Sequence, residues 1–240
     1  MTQLDFKNVT IQYPVYNTRS MSLRNQIVRI GTGGRIESEA GHVSIVTALK
    51  DVSFSLKEGD AVALIGHNGA GKSTMLRTMA GVYAPTAGEI VRKGRVATVL
   101  ELGAGMDPEL TGYENIVRMS VLMGVSMREI KERIADIEEF TQLGDFLKLP
   151  VRTYSSGMAT RLMFAVTTST RPDILLVDEI FGTGDADFQE KAKKRMEDLI
   201  ESVGIFVFAS HNNALVKGYC NRFFRVNHGA VEEISRDDIP

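Results

Sequence analysis

The chain has 240 residues, a formal net charge of −2, 43% hydrophobic and 24% charged residues. This is the make-up of an ordinary soluble globular protein, and it argues against a nucleic-acid binder that works through bulk charge. Cys220 is the single cysteine, which excludes an intramolecular disulfide or a cysteine zinc site and points to a reducing compartment.

The N-terminal stretch MTQLDFKNVT alternates like a strand and has no apolar core, so it does not resemble a signal peptide. No apolar run reaches the roughly 18 residues needed to span a bilayer. Membrane association is therefore expected only through a partner or a surface helix. Leu4–Ile11 and Ala48–Leu56 both alternate and predict half-buried strands. Between them an insert of about residues 14–46 holds Tyr13-Pro14-Val15-Tyr16 at its entry, a helical-period stretch (Leu23, Ile27, Ile30) and Gly33-Gly34. That basic amphipathic stretch suits either packing on its own domain or an interaction at a membrane.

Glu58-Gly59-Asp60 turns the chain into the apolar strand Ala61–Ile65. Gly66-His67-Asn68-Gly69-Ala70-Gly71-Lys72-Ser73-Thr74 follows, with the spacing G-x-x-x-x-G-K-S, and a helix is expected from Lys72 with Met75, Leu76, Met79 and Ala80 apolar. Glycines let backbone N–H groups turn inward onto a polyphosphate, Lys72 reaches its outer phosphates, and the Ser73 hydroxyl suits Mg²⁺. A glycine-rich turn can match by chance, but the strand before it and the helix after it supply the context the chemistry needs. The pattern points to a nucleoside triphosphate.

Ala84–Gly88 is a turn feeding the strand Glu89-Ile90-Val91. From about 107 to 165 the periodicity becomes helical, with helices expected over Tyr113–Met123, over Ser126–Leu143 and onward from Ser156 or Gly157. Ser126 stands three residues before Glu129, the spacing of a capping box. Met119, Leu122 and Met123 read as buried packing. Ile174-Leu175-Leu176-Val177 runs into Asp178-Glu179, a buried strand with carboxylates at its end, and a helix is expected from Asp187 to Ser202. Ile205–Ala209 is another buried strand, ending in Ser210-His211, and Asn227-His228-Gly229 joins a closing hairpin.

Parallel α/β sheets bind ligands at the carboxyl ends of their strands, so the phosphate loop, Asp178, Glu179 and His211 are expected to converge. Asp178 suits Mg²⁺ through its water shell, and Glu179 suits the orientation and deprotonation of an attacking water. His211 suits contact with the terminal phosphate or support for the loop carrying Glu179.

With these residues in place the chain resembles the ATP-binding subunits of ABC transporters along nearly its whole length. Gly66–Thr74 is similar to the family's Walker A motif, Ile174–Glu179 to its Walker B, and His211 to its switch histidine. Tyr154-Ser155-Ser156-Gly157-Met158 occupies the place of the signature motif, usually Leu-Ser-Gly-Gly-Gln, and Asp185 that of the D-loop aspartate. The resemblance implies a P-loop NTPase fold: one ABC-type nucleotide-binding domain over 1–240, with a mixed, mainly parallel sheet core, an antiparallel β edge subdomain and a helical subdomain. It implies ATP and Mg²⁺ as ligands and a head-to-tail homodimer in which Ser155 and Gly157 of one copy complete the site of the other. Hydrolysis then drives an integral membrane permease, and the subunit sits at the cytoplasmic face of the bacterial inner membrane without contact to nucleic acid.

Three departures from the family pattern stand out. The signature rests mainly on Ser155 and Gly157. Glu101 stands nearest to the usual Q-loop glutamine and, as a carboxylate, ligates Mg²⁺ but donates no hydrogen bond. The insert displaces the aromatic that stacks on adenine, leaving Tyr13 first and Tyr16 second in line. The run Glu101–Gly112, Tyr154–Met158 and Gly184–Phe188 look like the branch that exports bacterial surface polysaccharides, and the insert is most similar to O-antigen exporters, with capsule or teichoic acid as alternatives. A lipid-linked polysaccharide of this kind is handled mainly by the permease. The chain stops soon after its last strand, so no C-terminal carbohydrate-binding domain is expected within it. A permease-free ABC ATPase and a P-loop kinase are the rival readings; the kinase would need neither signature nor His211.

Overall fold

The computed structural model describes residues 1–16, 36–39, 43–99, 105–178 and 186–239. Two compact units emerge: Met1–Val96 with Leu176–Glu179 and Gly204–Pro240, and Ala97–Leu175 with Ile180–Val203.

In the first unit, β1 (Gln3–Tyr16) pairs antiparallel with β3 (Val43–Lys57) and with β5 (Ala87–Lys93), while β2 (Ile36–Glu39) adds to the other side of β3. Both long strands run further than their alternation predicts. Beyond Thr10 and its partner Ala87, β1 no longer pairs with β5, and Pro14 is tolerated there because, among the described residues, no second ladder needs its missing N–H. The alternation also changes phase. Leu4 and Phe6 face inward, then Val9 and Ile11, because Asn8 adopts φ 52° at a register shift. Asp51 opposite adopts φ 50°, and Asn8 Nδ2 donates to its carboxylate at 2.9 Å. Asn and Asp tolerate this left-handed backbone better than other side chains do, which is why a bulge forms here.

The second sheet has the order β10-β9-β4-β8-β7-β6, from β4 (Asp60–Ile65), β6 (Val96–Val99), β7 (Ile174–Asp178), β8 (Ile205–Ala209), β9 (Arg222–Asn227) and β10 (Ala230–Ile234). β4 lies parallel to both β8 and β9, and its central Val62, Ala63 and Leu64 are fully buried. The expected closing hairpin is present as β9 and β10. Phe54 lies between β1 and β9 of the first unit, stacked on Phe6 at 4.5 Å and tilted against Phe224 at 5.3 Å. Arg222 stitches the same region: its guanidinium donates to Asp60, to Glu233 and to the Ser55 carbonyl. Those carboxylates hold its pKa above the usual value.

α1 (Lys72–Ala80) follows β4 and buries Met75, Leu76 and Met79 as its spacing predicts. Gly81 closes it at φ 86°, a conformation cheap only for glycine.

The second unit holds α2 (Gly112–Leu122), α3 (Met127–Thr141), α4 (Ser156–Thr168) and α5 (Ala186–Ser202). The capping box predicted at Ser126 and Glu129 is formed, and a second, at Thr111 and Glu114, was not anticipated. Phe140, Phe164 and Phe188 meet at centroid distances of 5.6 to 6.0 Å and hold α3, α4 and α5 together. Met119 is buried as expected, but Leu122 is 65% exposed. It is the last residue of α2. The helical-period stretch of the insert (Leu23, Ile27, Ile30) lies outside the described residues, and among the described residues no helix is long and apolar enough to cross a membrane.

Candidate functional site: a phosphate loop and its carboxylate

β4 ends at Ile65, and Gly66 opens the loop because nothing larger fits. A Cβ there would lie 2.3 Å from the Val226 carbonyl oxygen of β9 and 3.1 Å from Ala70 Cβ. Gly69 and Gly71 take φ values of 79° and 120°, which L side chains rarely adopt, and Gly71 is the N-cap of α1 without any side-chain capping bond. The first N–H groups of α1 therefore depend on a partner outside the helix, and the helix dipole favours an anion. Gly66–Thr74 thus take the turn and helix-start geometry expected of a phosphate-binding loop.

Lys72 Nζ lies within the cradle, donating to the Gly66 carbonyl at 2.7 Å and to the His67 carbonyl at 3.2 Å. Ser73 Oγ donates to Asp178 Oδ2 at 2.8 Å, although the two are 105 residues apart. α1 and β7 thus bring together two of the three oxygen donors that the sequence assigned to Mg²⁺. The donor set fits, since a hydroxyl and a carboxylate are hard oxygen ligands of the kind Mg²⁺ takes beside phosphates. β8, parallel to β4, ends at Ala209, and Ser210 and exposed His211 follow at the same end of the sheet as Gly66. Ser210 Oγ accepts the Asn212 N–H at 3.1 Å, and Asn212 caps α6 (Asn213–Tyr219).

His67 and Asn68 stand exposed at the crest of the loop, and Ala70 is buried beneath it. Tyr13, 39% exposed, has its ring centroid 6.4 Å from that of Tyr83. Tyr83 was not anticipated: it follows α1 in a turn whose composition carries no stacking signal. For Tyr16, the second choice for that stacking role, only the backbone in β1 is described. Glu101, Glu179 and Asp185 lie outside the described residues.

The signature segment belongs to the second unit. Ser155 is the N-cap of α4, its Oγ accepting the Met158 N–H at 3.2 Å, and a Cβ on Gly157 would meet only that Oγ, at 3.9 Å. Among the described residues, the N-terminus of α4 is therefore open on the Gly157 side. Tyr154, which replaces the usual leucine, donates its hydroxyl to the Phe146 carbonyl at 2.7 Å and covers Gly112, where a Cβ would lie 2.4 Å from that oxygen. Partial burial raises the Tyr154 pKa.

A family model described as "ABC transporter" matches residues 49–182. The O-antigen export system ATP-binding protein RfbE of Yersinia enterocolitica is 65% identical over 237 residues, which is 99% of each chain. An O-antigen export system ATP-binding protein, RfbB, of Klebsiella pneumoniae is 39% identical over 96% of this chain and 92% of its own. Among solved structures, the dimeric post-hydrolysis state of the ATP-binding cassette MJ0796 bound to ADP and Pi covers 97% of this chain and 99% of that one, with a TM-score of 0.66 and 22% identity, a likeness of fold alone. A match through the phosphate loop and the Asp178 strand, joined to 65% identity from end to end, makes the conclusion firm that this chain belongs to the ABC transporter family.

Proposed function

We propose that this chain is the ATP-binding and ATP-hydrolysing subunit of an ABC transporter that exports a lipid-linked O-antigen polysaccharide across the bacterial inner membrane. The cargo follows from the full-length likeness to an O-antigen export ATP-binding protein at 65% identity. The chemistry rests on the meeting of Ser73 and Asp178 at the foot of the phosphate loop.

In this reading the inward N–H groups of Gly69–Thr74 bind the phosphates. Lys72 exchanges its two carbonyl partners for phosphate oxygens, which as anions are the stronger acceptors. Tyr13 stacks on adenine. Ser73 and Asp178, with Glu101 in the place of the Q-loop glutamine, would hold Mg²⁺, which would supply charge neutralisation for phosphoryl transfer. Glu179 orients the water and accepts its proton, and His211 faces the terminal phosphate. Ser155, Gly157 and Asp185 act in trans: a second copy, docked head to tail, brings the open N-terminus of α4 to the γ-phosphate as an anion site. Binding closes the homodimer and hydrolysis reopens it, and a permease converts that difference into transport. The whole chain acts as one nucleotide-binding domain, held peripherally at the cytoplasmic face by the permease.

The test is genetic and biochemical together. Cells lacking this chain should lose surface O-antigen and accumulate the lipid-linked polymer inside. The parent chain should restore export and Glu179→Gln should not, although that variant still binds ATP and forms a stable dimer. Undiminished surface O-antigen in the deletion would overturn the cargo. Parent-rate ATP turnover by Glu179→Gln would remove Glu179 as the base.

A further inference from the structure

The closing hairpin touches the phosphate loop along its length. At one end, the Val226 carbonyl of β9 closes on Gly66, with no room for a methyl group between them. At the other, the Gly229 N–H donates to the Ala70 carbonyl at 3.2 Å, while the Gly229 carbonyl accepts the Lys50 N–H at 3.0 Å. Between these contacts the His228 ring stands against the His67 ring, centroids 5.2 Å apart and planes inclined by 57°. His67 has a backbone contact as well. Its Nδ1 lies 2.8 Å from the Asn68 carbonyl, and because a carbonyl only accepts, Nδ1 must carry the proton.

His228 sits in the left-handed region, which non-glycine residues adopt uncommonly. Asn227 pairs with Ala230, so the loop is the two residues His228 and Gly229, with φ of 46° and 82°. Two-residue turns of this kind prefer Asn-Gly, because Asn tolerates the left-handed region better than a ring-bearing side chain. Here a histidine occupies the asparagine position, and its imidazole lies on the crest of the phosphate loop. A backbone outlier beside a binding loop, with its side chain in contact, indicates a role for the side chain.

We propose that the β9–β10 turn is a positioning element of the phosphate cradle, and that His228 is a positioning residue that acts on ATP binding through His67. Gly229 anchors the turn to the loop backbone, and the His228 ring limits the excursions of His67 and so of the N–H groups that follow it. This rests on the reading of Gly66–Thr74 as the ATP phosphate site.

His228→Asn separates this role from a structural one, since Asn suits the turn better than His. In the full chain the variant should keep or raise Tm, keep kcat within about twofold, and raise KM for ATP by about two- to tenfold, the range expected for one aromatic contact. In a His67→Ala background the same change should add nothing, since the contact is already gone. A parent-like KM in His228→Asn, a KM rise accompanied by a lower Tm, or full additivity in the double variant would each overturn the proposal. Lys72→Ala, assayed alongside, should abolish ATP binding. If it does not, the phosphate-site reading fails; if it does and His228→Asn is silent, only the role of His228 fails.

Discussion

Gly66→Ala offers a measure of how tightly the phosphate loop is seated. The added methyl would stand 2.3 Å from the Val226 carbonyl oxygen and 3.1 Å from Ala70 Cβ. Carbon–oxygen contacts relax only at about 3.3 Å, so loop and strand must separate by roughly 1 Å. Neither side yields easily: Val226 is a buried residue of β9, and Ala70 is buried beneath the loop. Overpacking of this kind costs about 1–3 kcal/mol, and at about 2–4 °C per kcal/mol for a chain of this size Tm should fall by about 2–12 °C. The loop moves with the methyl, and a displacement of about 1 Å in a catalytic site costs about a hundredfold in activity. Thermal unfolding and ATP turnover, measured on parent and variant together, test both numbers. Gly157→Ala is the control for Tm, because a Cβ there meets only Ser155 Oγ at 3.9 Å and alanine favours the helix; its Tm should match or exceed the parent's. Gly66→Ala with unchanged Tm and turnover would refute the reasoning from the Val226 contact.

Ser155→Arg should leave nucleotide binding to the single chain intact and abolish turnover, because the bulky cation blocks the N-terminus of α4, while loss of the cap costs about 1 kcal/mol; normal turnover would argue against completion of the site in trans. Glu233→Gln should reveal a pH-dependent contribution to stability. Hydrogen bonding to Arg222 lowers the Glu233 pKa below its ordinary 4.5, so its contribution is present above pH 4.5 and is lost as pH falls through the depressed value. Parent and Glu233→Gln should therefore differ in Tm at neutral pH and converge in acid, and a gap that widened in acid would contradict this sign.

Much of the site was legible because its signals are local. The G-x-x-x-x-G-K-S spacing places glycines where the backbone must turn and a lysine where the helix starts, and apolar residues running into Asp178 mark a strand end. Ser126 and Glu129 close their capping box within a single helical turn, so spacing alone reveals it. Less was legible where partners are distant along the chain. Alternation marks Leu4, Phe6, Val9 and Ile11 as strand residues but does not show that Asn8 bulges, since that depends on Asp51 and Ser53 in the facing strand. Leu122 carries the periodicity of a buried residue and lies exposed, because periodicity does not report where a covering neighbour ends.

Read as letters, then, this chain specifies its phosphate-binding chemistry, its helix starts and its family, because each depends on residue types at short, fixed separations. The closure of β9 on Gly66, the seating of His228 against His67 and the placement of Tyr154 over Gly112 belong to the folded molecule alone. Each joins segments far apart in the chain, and such contacts are chosen by the packing of the whole core and sheet register, which no local pattern encodes.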